Sequence, residues 1–370
     1  MISSKLWEVD AHHRNCMSVN YMIEKGVNYN MTQGRNPAIA IAKYLAALLV
    51  IGIHTNPFID INDTINFFAV KVVGQMAVPF FAVCTGYYLG NKLSFGDRLE
   101  KTNSNLKLFI HQWKKVFVLY FIWTCLYLVF SIPFWIQTGW LSPMAFVDYA
   151  FATMTGGSHY HLWYLLYLLY SLPLVYILLR LVPAKRQWLL ILICWAIAIF
   201  TYTYKSFLPT GIVPSLELLN HFSRLPILPP LILLGVQVSR ERERRARWRY
   251  AVSLVISFGL LNAEAFTLRN LGIEKVSFII CTLPTIYFLF HLILEFAQFQ
   301  NKRKAKCAIL LGNLSTIVYC IHPMFIETVG KKIDNSVWLY IVITLMSTLI
   351  GCVWYQQKEK FKKKYNSCIK

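Results

Sequence analysis

Residues 160–182 read YHLWYLLYLLYSLPLVYILLRLV, with no formal charge before Arg180. A helix crossing roughly 30 Å of hydrocarbon needs about 20 largely apolar residues, so this stretch predicts a membrane span. Comparable runs lie at 38–56, 71–90, 116–135, 188–204, 222–239, 250–268, 276–297, 307–325 and 336–355. The expected fold is therefore an all-α integral membrane protein, a bundle of about ten transmembrane helices. The 222–239 run is the most irregular, because Pro226, Pro229 and Pro230 interrupt it and Arg224 sits near its start. It reads as a broken helix, which a bilayer tolerates only where protein or a wet cavity satisfies the freed backbone groups.

Composition agrees. Of 370 residues, 56% are hydrophobic and 15% charged, against roughly 25% charged in a soluble domain. The formal net charge of +20 raises the question of nucleic acid, and the distribution of the charge answers it. Taking the segments between runs alternately, 29 of the 37 Lys and Arg fall on the side of the N-terminus. Seven fall on the other side (Lys71, Lys205, Arg224, Arg269, Lys275, Lys331 and Lys332), and Lys43 lies within the first run. Positive residues mark cytoplasmic connections, so both termini are expected in the cytoplasm of a multi-pass protein of the cell membrane. Nucleic-acid binding is not expected.

Three parts follow: a polar and flexible N-terminal segment at 1–34, a transmembrane domain at 35–357 and a basic cytoplasmic tail at 358–370. No cleavable signal peptide is recognisable at the N-terminus. The nine cysteines are scattered without a C-x-x-C pair and read as small buried hydrophobes rather than a disulfide framework or zinc site. His12, His13 and Cys16 lack a fourth metal ligand, so no metal is expected.

Polar side chains at membrane depth are costly and mark function by default. With ten spans, several collect at the outer level: His54; Ser158, His159 and His161; Asn220, His221 and Arg224; Asn262 and Glu264; and His322. An imidazole suits general-base work near neutral pH, and an arginine suits an anionic substrate or a developing oxyanion. Taken singly, a histidine near a helix end is more often interfacial, and His159 and His221 are read so. Trp163, Tyr164, Tyr167 and Tyr170 suit an aromatic belt. The constellation as a whole favours an enzyme over a transporter.

Several segments together resemble the membrane acyltransferase 3 family. Arg35, Ile39 and Lys43 followed by LLVIGIHTNPF resemble its first-helix pattern, which ends in a functional histidine, here His54. VGQMAVPFFAVCTGYYLG at 73–90, with Thr85-Gly86, resembles the second helix, and KKVFVLYFIWTCLY from Lys114 resembles the basic entry to the third. HLWYL at His161–Leu165 resembles a family motif, as does Arg224 with the later LILLG, and LGNLSTIVYCIHP at Leu311–Pro323 resembles the ninth-helix motif ending in His322. The pattern covers about 35–355. It departs at Ala40 and Ala42, where many members carry an acidic residue, and at Lys43, where arginine is common. The motifs also resemble the membrane half of membrane-bound serine racemases.

The resemblance implies acyl transfer from cytoplasmic acyl-CoA, commonly acetyl-CoA, to a hydroxyl of an extracytoplasmic acceptor such as a surface glycan or lipid-linked sugar. No bound cofactor is implied; acyl-CoA is a co-substrate. His54, His161 and His322 are then the expected catalytic residues, His54 as general base or transient acyl carrier. Arg224, Trp163, Tyr164 and Glu264 would orient the acceptor or the thioester carbonyl. Arg35, Lys43, Lys107, Lys114 and Lys115 would meet the phosphates of CoA. The rival readings are transport or binding of a small amino acid, and a structural partner of a synthase.

Overall fold

The computed structural model describes residues 36–208, 224–241, 246–273, 276–296 and 302–368. The segment 1–34 with His12, His13 and Cys16, and likewise Arg35, Asn220, His221 and Lys275, lie outside the described residues. All ten apolar runs appear as helices, joined by one more. They are α1 Pro37–Thr55, α2 Asp63–Gly90, α3 Asn103–Gln137, α4 Pro143–Thr155, α5 Trp163–Leu181 and α6 Ala184–Thr201. Then come α7 Leu225–Arg240, α8 Arg247–Asn270, α9 Thr282–Glu295, α10 Lys302–Thr328 and α11 Ser336–Cys368. The extra helix, α4, follows the third run, and α11 continues past Lys358 without a break. Among the described residues the sole β contact is an isolated bridge between Phe95 and Leu99.

Eight of these helices, all but α4, α7 and α9, are long and apolar enough to cross a membrane. The outward faces of α3, α6, α8 and α11 expose Phe121, Val129, Leu192, Val255, Leu349 and Trp354. So much exposed apolar surface fits a lipid solvent. The molecule is a multi-pass helical membrane protein. Of the cysteines, Cys84 and Cys320 are buried as expected, whereas Cys125 and Cys307 are exposed.

The prolines of α7 do not break that helix; they begin it. Leu225–Ile227 forms a single 3-10 turn, and the α-helix proper starts at Leu228, which puts Pro229 and Pro230 in its first turn. Backbone N–H groups there have no helical acceptor, so a missing N–H costs nothing. Every residue from Leu228 to Val238 is buried. α7 is thus the central rod, packed most extensively on α2 and also on α6 and α5.

Small residues set the closeness of that packing. A Cβ on Gly86 of α2 would overlap the Ile232 carbonyl oxygen, and one on Gly235 of α7 would overlap that of Val83. Close small-residue crossings are how helices associate without water to drive them together. The second extensive seam joins α1 to α10, where Gly312 admits Ala40. Those two seams, with α1 also packed on α2 and α5 on α7, place α1, α2, α5 and α10 around a common interior.

Candidate active site

Four imidazoles meet in that interior. The rings of His54 and His322 stack with centroids 5.4 Å apart, and His161 meets His322 edge-on at 5.4 Å. His159 lies 5.3 Å from His161, and Tyr160 lies 4.8 Å from His54. The three expected catalytic histidines therefore come together, from α1, from the turn before α5 and from α10. His159 joins them, which its reading as an interfacial residue did not anticipate.

Each histidine is held by a local device. His54 ends α1, and Asn56 then turns the chain with a φ of 49°, a left-handed conformation asparagine tolerates. The same turn is tied to α11, because the Ser336 N–H donates to Asp60 Oδ2 (2.7 Å) and the Ser336 hydroxyl donates to the Pro57 carbonyl (3.0 Å). The Ser336 N–H first, and then its side chain, hold the Asp60 carboxyl below its ordinary range. The Ser158–His161 turn is fixed by tyrosines on the end of α4: Tyr120, Tyr170 and Tyr167 donate to the carbonyls of Thr153, Met154 and Thr155.

His322 is set by its neighbour Pro323. Proline has no N–H for the carbonyl four residues back, so the Tyr319 carbonyl is left over. The His322 Nδ1 lies 2.8 Å from it and 3.3 Å from the Val318 carbonyl. Carbonyls only accept, so Nδ1 carries the hydrogen and Nε2 the lone pair. His322 is fully buried, and its Nε2 has no hydrogen-bond partner among the described residues. A buried base with a free lone pair is thus presented beside His54.

On the other side of these rings lies a cavity of about 300 Å³. Its mouth carries Lys43, Lys92, His111 and Lys115, and its inner end Tyr164, Ser315 and Tyr319. Of the expected cations, Lys43 and Lys115 line it, whereas Lys107 and Lys114 do not. On α3 the lining positions 108, 111, 112, 115 and 119 share one face, and 107 and 114 are turned about 100° from it. Lys92 and His111 are basic lining residues that the sequence did not single out for this role.

Three elements run from the cavity to the histidines. On α1, Lys43 and His54 share a face three turns apart, roughly 16 Å at 1.5 Å per residue. On α10, Ser315, Tyr319 and His322 follow one another at i, i+4 and i+7. On α5, Leu168, Leu165 and Tyr164 lead back to His161. Tyr319 is the partition. Its hydroxyl donates to the His161 carbonyl, and its ring centroid lies 5.5 Å from that of His161 and 6.3 Å from that of His322.

The remaining expected residues divide. The Arg224 guanidinium lies 5.0 Å from the Trp163 ring centre, a cation–π pair beside the α5 entrance, and Tyr164 lines the cavity. Glu264 is engaged elsewhere. It accepts from the Tyr204 hydroxyl and from the N–H groups of Ile280 (2.7 Å) and Cys281 (2.8 Å). It thereby caps the approach to α9, and its three bonds lead away from the histidines.

A polytopic helical protein with a basic cavity leading to a buried histidine cluster is the class that the fold and site define. A family model described as an acyltransferase domain matches residues 36–356, and the chain belongs to this acyltransferase 3 family. An amino-acid racemase of Enterococcus faecalis is 27% identical over 84% of this chain and 44% of its own length. A serine/alanine racemase of Enterococcus gallinarum is 25% identical over 91% of this chain and 48% of its own length. The chain thus spans about half the length of these relatives. No solved structure matches it.

Proposed function

We propose that the protein is a membrane-embedded acyltransferase that moves an acyl group, with acetyl the first candidate, from acyl-CoA to a hydroxyl of an extracytoplasmic acceptor such as a surface glycan or lipid-linked sugar. One observation carries the reading: a cavity with four basic side chains at its mouth ends at Tyr319, which touches two of the clustered histidines. Lys43, Lys92, His111 and Lys115 suit the phosphates of CoA, with Arg35 upstream as a further candidate. The acyl thioester would reach the histidines past Tyr164 and Tyr319.

In this mechanism the acceptor hydroxyl oxygen attacks the thioester carbonyl and gives its proton to an imidazole. The carbon–sulfur bond then breaks, and the proton passes to the departing thiolate. His54, half-buried, is the imidazole that meets the acceptor, and His322 offers its Nε2 lone pair from behind. Arg224 on Trp163 orients the acceptor or steadies charge on the carbonyl.

The test is transfer of labelled acetyl from acetyl-CoA to envelope material by membranes carrying the full chain. Transfer that disappears in His54→Ala, with normal insertion, supports the reading; full activity in that variant overturns the assignment. The racemase names of the relatives favour a second reading, binding or uptake of a small amino acid. Serine or alanine flux into proteoliposomes without CoA would establish it instead.

A further inference from the structure

A line of polar contacts leaves the histidine cluster that the proposed acyl transfer does not use. Glu327 Oε1 lies 2.8 Å from His159 Nε2, His159 Nδ1 lies 3.3 Å from His161 Nδ1, and His161 Nε2 lies 3.2 Å from the Cys320 carbonyl. Three contacts need three hydrogens, and the carbonyl has none to give. A carboxylate with two neutral imidazoles supplies two. One extra proton therefore resides on the three side chains, which makes them neutral as a set and spares the layer an uncompensated carboxylate. An ordinary imidazole is more basic than a carboxylate by about two pH units. The proton belongs to His159, as an imidazolium against Glu327.

We infer that Glu327 and His159 are a positioning pair for the proposed acyl transfer: Glu327 keeps His159 doubly protonated, and His159 fixes the ring and tautomer of His161 against His322. The inference rests on the acyl-transfer reading for its purpose, though not for its geometry. Around His159 stand Glu327 and His322 from α10, Tyr127 from α3, Tyr160 and His161 from its own turn, and His54 from α1, with Lys71 of α2 acting on His54. Glu327 is the acid in direct contact. Within this neutral pair the imidazolium is the member that touches His161, on the side where a thioester carbonyl would gain negative charge.

The decisive variant is Glu327→Gln, which keeps an acceptor oxygen and removes the charge. Acetyl transfer from acetyl-CoA to envelope material should slow roughly tenfold, short of the 10²–10³ typical of losing a direct oxyanion donor. The KM for acetyl-CoA should hold while kcat falls, since Glu327 touches the histidines and does not line the cavity. Glu327→Asp should restore most of the rate. An unchanged kcat in Glu327→Gln would overturn the pair. If that variant fails to insert, nitrogen-15 spectra of histidine-labelled wild-type protein in bilayers decide. Two N–H signals from His159 near pH 7.5 support the pair, and one overturns it. Wild-type membranes that transfer no acetyl would instead overturn the acyl-transfer reading, whatever the spectra show of His159.

Discussion

His322 and His291 are both buried histidines on helices, exposed by 0% and 2%, and both are surrounded by aromatic rings. At His291, Nε2 lies 3.1 Å from Glu241 Oε2, at ion-pair distance though off the line of a straight hydrogen bond. Its ring stacks on Tyr250 at 4.6 Å, and Tyr287 donates to the same carboxylate at 3.1 Å. The Glu241 carboxylate faces one nitrogen of this ring, while its Nδ1, like Nε2 of His322, has no hydrogen-bond partner among the described residues. At His322 one nitrogen is spent on the backbone and the other is left over, facing histidines from two other segments and the end of a cavity. Burial alone does not separate a candidate catalyst from a structural histidine. An unpartnered nitrogen does not separate them either; the company of His54 and His161 and of the cavity-lining Tyr319 does.

The largest effect should come from testing that difference directly. His322→Ala and His54→Ala are each expected to lower kcat for acetyl transfer by about 10²–10⁴, the usual worth of a general base, and His54→Ala should leave thermal stability little changed. His291→Ala should do the reverse, keeping kcat within about threefold while leaving Glu241 short of a partner. A loss of about 1–3 kcal/mol is expected for such a group, visible as a lowered Tm in detergent. A His291→Ala protein that is stable but inactive would erase the distinction between the two clusters. Glu264→Gln belongs with His291, because its carboxylate caps the approach to α9. It should cost stability on a similar or smaller scale and leave kcat alone.

Much of the fold was legible because lipid makes the sequence simple: all ten apolar runs became helices. The 222–239 run was misread as broken because its prolines look alike in a string, whereas their effect depends on which turn of the helix they occupy. The convergence of His54, His161 and His322 was legible from their shared depth. His159 was not, since it lies two residues from His161 on a turn fixed by tyrosines of α3 and α5 that bond the end of α4. Glu327 passed unnoticed as one acid near a helix end. Its meaning comes from the 2.8 Å contact across helices. Conversely, Glu264 looked functional as a lone carboxylate in an apolar run, and two backbone N–H groups explain it.

The smallest effects should appear at the cavity mouth, where α3 offers a comparison within a few turns of one helix. Lys115 lines the cavity, while Lys107 and Lys114 point around the helix from it. If phosphates of CoA sit there, the double variant Lys43→Gln/Lys115→Gln removes two favourable charges from a partly solvated site. Exposed pairs are worth roughly 0.2–1 kcal/mol each, so KM for acetyl-CoA should rise by about two- to thirtyfold, and less at high salt. The matched double variant Lys107→Gln/Lys114→Gln carries the same change of charge and should shift KM by less than about twofold. Equal shifts in the two would mean that the basic end acts as a diffuse positive field rather than through the cavity.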